Sequence, residues 1–268
     1  MTPAQVAHVT SRDNPLLKDL RRLSQDSTAY RKQQRVWLEG DHLCRAALVR
    51  GRRPAIAVFA ESAWPEAQAE FGADAARNVI VPDALFADLS TLESPARMGF
   101  VLDLPQSAGS GLLPGAAAVV LDRVQDAGNV GSILRSASAF GFAQVIALKG
   151  SAALWSTKVL RAGMGAHFGL RLVEGLEAAE VAQLGLPLLV TSSHGGSFLH
   201  RAALPWPCAW IMGHEGQGVS AALEAQAALK IRIAQPGGEE SLNVGAAAAI
   251  CLHASAASRE PTPGAPSA

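Results

Sequence analysis

The sequence predicts an α/β fold, with short apolar strands alternating with amphipathic helices along most of its 268 residues. The clearest unit is AAVVLD (117–122), then NVGSILRSASAFGF (129–142), then QVIAL (144–148). Its outer segments are buried-strand runs. In the middle one Ile133, Leu134, Ala137, Phe140 and Phe142 recur at spacings that face a core from a helix. A strand-loop-helix-strand unit of this kind implies a right-handed crossover and a parallel pair. The same alternation occupies the first hundred residues, and nothing repeats at a fixed period.

Asn14-Pro15 is a helix start, and Leu16, Leu17, Leu20 and Leu23 follow as an apolar stripe. GDHLCRAALVRG is a second helix, AIAVFA a strand, EAQAEFGADA a helix and NVIVP a strand, with DALFADLS after it. These make a small α/β domain over 1–103. LPQSAGSGLLPGA (104–116) has the Gly, Pro and Ser content of a linker. Beyond the first crossover unit come STKVLRAGMGAHF, helical in part, then GLRLVE, the helix AAEVAQLG, the strand LPLLVTSS and HRAAL. The strand CAWIMG, the short helix SAALEAQ, the strand LKIRIA and the long helix SLNVGAAAAICLHASAA complete a second domain over 117–257. SREPTPGAPSA then gives a disordered tail over 258–268.

Composition narrows the function classes. Hydrophobic residues make up 49% of the chain but aromatics only 5%, so the core is built from small side chains. No apolar run has the length and strength of a membrane span, and the first twenty residues contain Arg12, Asp13, Lys18 and Asp19 in place of a secretory apolar core. Cys44, Cys208 and Cys251 follow neither a metal nor a disulfide spacing. A cytoplasmic protein without membrane or metal partners is the expectation. Net charge is zero, yet residues 12–53 hold eleven Lys or Arg against five Asp or Glu. Such a lobe either tracks phosphates or is a set of solvated helices.

Three loops carry the chemistry. DRVQDAGN (122–129) lies outside the carboxyl end of its strand, where α/β sheets bind ligands, and precedes Arg135, a single guanidinium among small and apolar residues. IMGHEGQGVS (211–220) sets Gly213, Gly216 and Gly218 around Glu215 directly after a strand. Glycines there allow either a tight turn or close backbone approach to a ligand. It is neither a P-loop nor a dinucleotide fingerprint. IAQPGGEESLNVGAAAA (233–249) breaks a strand at Pro236, Gly237 and Gly238, brings Glu239, Glu240 and Ser241 to a helix start, and places Asn243 just inside that helix. The two acids suit a helix N-terminus. Asn243, expected to be buried among alanines, needs a partner from protein or substrate.

DRVQDAGNVGSILRSASAFG, IMGHEGQG and IAQPGGEESLNV, in this order and separation, resemble the three motifs of the SpoU/TrmH family of RNA ribose 2'-O-methyltransferases in the SPOUT superfamily. TKVLRAGMGAHF resembles the stretch between the first two. The opening VTSRDNPLLKDLRRL and YRKQQRVWLEGDHL are similar to the amino-terminal substrate-binding domain of the larger members, so the likeness spans all but the tail. The chain departs from the family at Ile233-Ala234-Gln235, where Ile-Pro-Met is usual, and at Asp126-Ala127, where Asp-Pro is frequent.

The resemblance implies an L30e-like first domain and a second, SPOUT-type domain with a deep trefoil knot. It also implies a homodimer and S-adenosylmethionine held by Gly213, Ile233 and Leu242, largely through main-chain atoms, with Thr191 a looser candidate. Arg135, Asn129, Glu215, Ser241 and Asn243 are the implied catalytic set. The resemblance implies that Arg135 activates the hydroxyl, aided by a substrate phosphate. Because arginine is an implausible base at its usual pKa, the other reading is that it holds the phosphate and stabilises a developing alkoxide, and the sequence leaves both open, with Asn129, Ser241 and Asn243 orienting it and the ribose. Glu215 would fix the loop or a partner's arginine. Arg21, Arg22, Arg31, Lys32 and Arg35 are candidate RNA contacts, with Lys158 and Arg161 nearer the site. The expected substrate is structured RNA, large-subunit ribosomal RNA before transfer RNA. The alternatives are a transfer RNA ribose methyltransferase and a noncatalytic RNA-binding or ribosome-assembly protein. Rival chemistries fit poorly: His194, His200 and His214 match no common zinc spacing, and TSSHGG lacks the elbow of a serine hydrolase.

Overall fold

The computed structural model describes residues 5–104, 111–192, 195–238 and 241–259. It divides into two units, Met1–Ser107 with Ala153–Phe168, and Ala108–Ala152 with Gly169–Ala268.

The first unit runs β1 (Gln5–His8), α1 (Pro15–Gln25), α2 (Ala29–Gln33), β2 (Arg35–Glu39), α3 (Asp41–Val49), β3 (Ile56–Ala60), α4 (Trp64–Phe71), β4 (Arg77–Val81), α5 (Asp83–Ala87) and β5 (Met98–Asp103). Asn14 caps α1 by accepting the Leu16 N–H at 3.0 Å, and Pro15 occupies the first turn, where no N–H is needed. The sheet order is β1-β4-β3-β5-β2, with β1, β4 and β3 parallel and β5 antiparallel to both neighbours. The sequence reading recovers β3 and β4 and leaves β1, β2 and β5 unassigned. Strand β1 is a short, mostly exposed edge. The apolar stretch of β2 ends in a buried acid, Glu39, that looks like a boundary from sequence. In β5 a glycine interrupts the apolar run: a Cβ on Gly99 would lie 2.2 Å from the Trp37 ring, so only glycine lets this fully buried indole cross the sheet.

The second unit opens with β6 (Ala118–Asp122), α6 (Ala127–Ala139) and β7 (Gln144–Leu148). Buried Gln144 ties down the approach to β6, accepting the Leu113 N–H at 3.0 Å and donating to the Leu113 and Ala116 carbonyls. The chain then enters the first unit as α7 (Thr157–Gly163), a left-handed turn at Met164 and a 3₁₀ turn at Ala166–Gly169. Ala153, Leu160 and Phe168 join that unit's core, and the Thr157 hydroxyl donates to the Ser24 carbonyl at 3.1 Å. Sequence order alone places this stretch within 117–257, but its packing assigns it to the first unit. It returns as β8 (Arg171–Leu176), β9 (Leu188–Thr191), β10 (Ser197–Phe198), β11 (Ala209–Gly213), α8 (Ala221–Glu224), β12 (Leu229–Arg232) and α9 (Val244–Ala257).

These strands form one seven-stranded sheet in the order β10-β12-β9-β11-β6-β7-β8, parallel throughout. A parallel sheet covered on both faces explains why its strands read as continuous apolar runs. Buried Trp210 of β11 anchors α9 through its indole N–H, which donates to Ser255 Oγ at 2.8 Å. Three local expectations change. AAEVAQLG is a 3₁₀ helix, Ala178–Leu184, closed by a Glu177/Glu180 capping box. Helix α6 begins two residues before Asn129, and its cap is Asp126, which accepts the Asn129 N–H at 2.7 Å. Asn243 is the cap of α9 and not its first interior residue. The expected tail from 260 onward and residues 105–110 of the expected linker lie outside the described residues.

Candidate active site

Strands β6 and β11 lie side by side with Gly213 opposite Asp122, and from this pair β7 and β8 extend the sheet on one side and β9, β12 and β10 on the other. Such a reversal in strand order opens a crevice at the carboxyl ends of a parallel sheet. Beside it, at the ends of β9, β11 and β12, lies a cavity of about 960 Å³. Its walls come from Thr191 at the end of β9, Gly213 at the end of β11, Ile233 just past β12, and Leu242 before α9. Thus the four residues expected around a cofactor meet in one cavity, together with Glu215, Ser241 and Asn243.

Gly213 has no room for a side chain, since a Cβ would stand 2.3 Å from the Gly218 carbonyl carbon and the Val219 nitrogen. The loop it begins folds back on itself through paired His214 and Gly218 backbone bonds at 3.0 and 2.8 Å. His214 braces it from within: Nδ1 accepts the Gly216 and Gln217 N–H groups at 3.0 and 3.2 Å. Asp122 holds the loop's far end, accepting the Ser220 N–H at 2.6 Å and the Arg123 guanidinium at 3.0 Å.

The three sequence motifs are joined by a directed chain of hydrogen bonds. Asn243 Oδ1 accepts the Gly245 and Ala246 N–H groups at 2.9 and 3.1 Å, and its Nδ2 donates to Asn129 Oδ1 at 2.9 Å. Asn129 Nδ2 in turn donates to Glu215 Oε1 at 3.1 Å. Glu215 also accepts the Gln125 and Asp126 N–H groups at 3.2 and 3.0 Å. Partial burial pushes the Glu215 carboxyl up, but the donors from Asp126, Asn129 and Gln125 outweigh it and hold the pKa below its ordinary value. Each amide is used at both its oxygen and its nitrogen, which fixes its orientation. The expectation of a buried Asn243 is corrected: the residue is exposed and finds its partners in the α9 amides and Asn129.

Arg135 stands apart from the cavity lining. It leaves α6 on the solvent side, opposite the buried Val130, Ile133, Leu134 and Ala137, and its side chain has no hydrogen bond or ion pair among the described residues. Six residues turn a helix through about 600°, so Asn129 and Arg135 face different ways. Glu239, Glu240, Ser193 and His194 lie outside the described residues.

All seven expected RNA contacts belong to the first unit. Four of them are engaged. Arg21 donates to the Arg12 carbonyl at 2.7 Å, Arg31 contacts the Tyr30 hydroxyl at 3.2 Å, and Arg35 pairs with Asp103 at 2.8 Å. Arg161 faces buried Glu39 at 3.5 Å and Thr91 Oγ1 at 3.4 Å. Arg22, Lys32 and Lys158 are exposed with no such partner among the described residues.

Sequence reasoning passed over Gln235 as a ligand group. It lines the cavity, and its Oε1 is buried with no hydrogen-bond partner among the described residues. The departure from the family pattern at this position was the available signal. No cluster of His, Cys, Asp and Glu able to hold a metal occurs among the described residues, and none of their helices is long and apolar enough to cross a membrane.

Residues 116–253 match the model of the SpoU rRNA Methylase family, and the chain belongs to that family. It is 30% identical to an uncharacterized tRNA/rRNA methyltransferase of Synechocystis over 93% of both chains. It is 29% identical to the Bacillus subtilis 23S rRNA (guanosine(2553)-2'-O)-methyltransferase RlmP over 91% of this chain and 97% of that one. Among solved structures, the AdoMet-bound rRNA methyltransferase from Sinorhizobium meliloti superposes with a TM-score of 0.80 at 25% identity, covering 94% of this chain and 97% of that one.

Proposed function

We infer that the protein is an S-adenosylmethionine-dependent methyltransferase acting on a ribose 2'-hydroxyl of RNA. The observation that carries this is the cavity at the ends of β9, β11 and β12, where Thr191, Gly213, Ile233 and Leu242 converge beside the Asn243-Asn129-Glu215 chain. Its volume suits a nucleoside-sized ligand. The residues also fit the cofactor's chemistry: Ile233, Leu242, Val219 and Val244 offer apolar walls for a purine, and the unpartnered Gln235 oxygen awaits a donor. When bound, the cofactor supplies a methyl group on a sulfonium, which is already a good electrophile.

The protein's task is then alignment and charge stabilisation. Glu215, Asn129 and Asn243 hold the three loops in register, and Ser241 offers a hydroxyl at the cavity wall. Arg135, exposed and uncommitted but apart from its own chain's cavity, meets the substrate from the partner subunit of the proposed homodimer, where it takes a phosphate and steadies negative charge on the reacting oxygen. Arg22, Lys32 and Lys158 hold the RNA backbone. The substrate is a folded large-subunit ribosomal RNA, a reading supported by the RlmP likeness over nearly the whole chain. Apart from 153–168, which packs in the first unit, the domain limits 1–103 and 117–257, with a linker at 104–116 and a tail from 258, the trefoil knot, a homodimer, metal-free chemistry and a cytoplasmic location complete the proposal. The three buried, unpaired cysteines support a reducing compartment.

The experiment combines calorimetry with S-adenosylmethionine and mapping of ribose 2'-O-methylation in RNA from cells with and without the gene. Binding and a single lost mark in large-subunit ribosomal RNA are expected. A mark lost only from transfer RNA would redirect the substrate assignment. No lost mark and no cofactor binding, even with RNA present, would overturn the enzyme in favour of an RNA-binding protein.

A further inference from the structure

At the open edge of the seven-stranded sheet, the register pairs Phe198 of β10 with Arg232 of β12. Parallel partners present their side chains on one face, and the Arg232 guanidinium carbon lies 5.1 Å from the Phe198 ring centroid. The chain then turns through a 3₁₀ helix, Leu199–Arg201, which lays the His200 ring against Phe198 with centroids 5.6 Å apart and planes inclined by 29°. The strand is held close by Gly196, where a Cβ would stand 2.2 Å from the Lys230 carbonyl oxygen. The Phe198 ring thus has both the Arg232 guanidinium and the His200 imidazole against it, and His200 is exposed. His200 and its neighbour Arg201 make no hydrogen bond or ion pair through their side chains among the described residues. Arg232 directly precedes Ile233, a wall of the cavity.

We propose that the exposed face of His200 is a stacking platform for an unpaired nucleobase of the RNA substrate, flanking the ribose to be methylated, with Arg201 on its phosphate. This rests on the RNA methyltransferase reading and adds the residue that receives a base. A nucleotide brought to a recessed cavity gives up stacking with its neighbours. A flat ring just past the strand next to the one that leads into Ile233 returns that interaction without reading base identity. A stacked aromatic pair with an arginine against it, at a sheet edge, is chemically suited to a base. A phosphate would need only a cation, and a protein partner would leave the charges to be desolvated.

The test uses the full chain, a fluorescein-labelled single-stranded oligoadenylate, an RNA duplex of equal length, and methyl transfer to a large-subunit ribosomal RNA transcript. His200→Ala should weaken oligoadenylate binding by roughly tenfold, in the range of one lost base stack, and raise KM for the transcript. Duplex binding and S-adenosylmethionine affinity should not change. His200→Phe should restore single-strand binding, and His200→Trp should acquire fluorescence that oligoadenylate quenches. Unchanged binding by His200→Ala, or rescue by His200→Lys but not His200→Phe, would overturn the platform while wild-type methyl transfer leaves the enzyme reading intact. A wild type that methylates no RNA would instead remove the reading on which the platform rests.

Discussion

Arg135 and Gly213 illustrate two ways in which one residue limits this protein. Arg135 contributes nothing visible to the fold, being exposed and without a side-chain partner among the described residues. Replacing it with alanine should leave thermal unfolding unchanged and lower methyl transfer about a hundredfold or more, the loss of a transition-state contact worth ~3 kcal/mol. Wild-type turnover in Arg135→Ala would assign the arginine elsewhere. Gly213 is the reverse case, set by space. A Cβ there collides with the backbone of Gly218 and Val219 at 2.3 Å, and backbone cannot swing aside as a side chain can. Gly213→Ala should cost about 1–3 kcal/mol in overpacking and abolish cofactor binding measured by calorimetry. Retained affinity would show that the loop has another stable path. Both residues were legible in the sequence, Arg135 as a charge out of place and Gly213 as a glycine after a strand. The collision was not, because it depends on residues the loop brings back upon itself.

At the scale of elements, the site is held by helix termini. Asp126 caps α6 and Asn243 caps α9, and a Cβ on Gly245 would lie 3.1 Å from the Asn243 side chain and 3.5 Å from Ser132, so the two helices meet closely at their amino ends. Asn243→Ala removes a cap and the hold on Asn129 together. The cap alone is worth about 1 kcal/mol, and a fall in Tm of roughly 2–4 °C follows for a chain of this size. Methyl transfer should fall further than that loss of stability accounts for, because Asn129 and Glu215 lose their register. Asn243→Asp keeps the acceptor for the Gly245 and Ala246 amides but removes the donor to Asn129, so it should recover Tm without recovering activity. Recovery of both by Asn243→Asp would make the cap the whole role. Both asparagines stand out in the sequence but their settings do not, because whether a residue caps a helix or lies within it is decided by a φ and a ψ that composition does not specify.

At the scale of the molecule, the stretch 153–168 matters most, since it packs in the first unit while its flanks lie in the second. Removing residues 1–103 would strip Ala153, Leu160 and Phe168 of the core in which they are buried. The remaining fragment should bind a hydrophobic dye and associate on a sizing column. A monodisperse fragment with no dye signal would contradict this dependence. The same stretch carries His167, which is only 1% exposed. Its Nε2–H donates to the Leu154 carbonyl at 2.9 Å while Nδ1 is buried with no partner among the described residues. Burial lowers its pKa from 6.5 to about 4, against a smaller opposing effect of the Leu154 carbonyl. The unfolded chain therefore takes up this proton first as the solution is acidified. Stability is fully present above 6.5 and lost as pH falls toward about 4, by up to about 3 kcal/mol. Urea unfolding of wild type and His167→Gln between about pH 7 and about pH 5 should show the smaller acid loss in the variant. Equal slopes would assign the pH dependence to other groups.

What the sequence determined by itself is what lies close along the chain. Strand length, helix periodicity, the glycines after β11 and the three ordered motifs are local patterns, and they sufficed for the α/β class and for seven of the residues that line the cavity. The tertiary structure decided adjacency. That Gly213 lies opposite Asp122, that Asn243 reaches Asn129 across 114 residues of chain, and that 153–168 leaves its neighbours to complete another core all follow from long-range packing. Burial is the physical reason. Apolar surface is removed from water wherever a complementary face exists in space, so the final partners of a segment depend on every other segment as well as on its own composition.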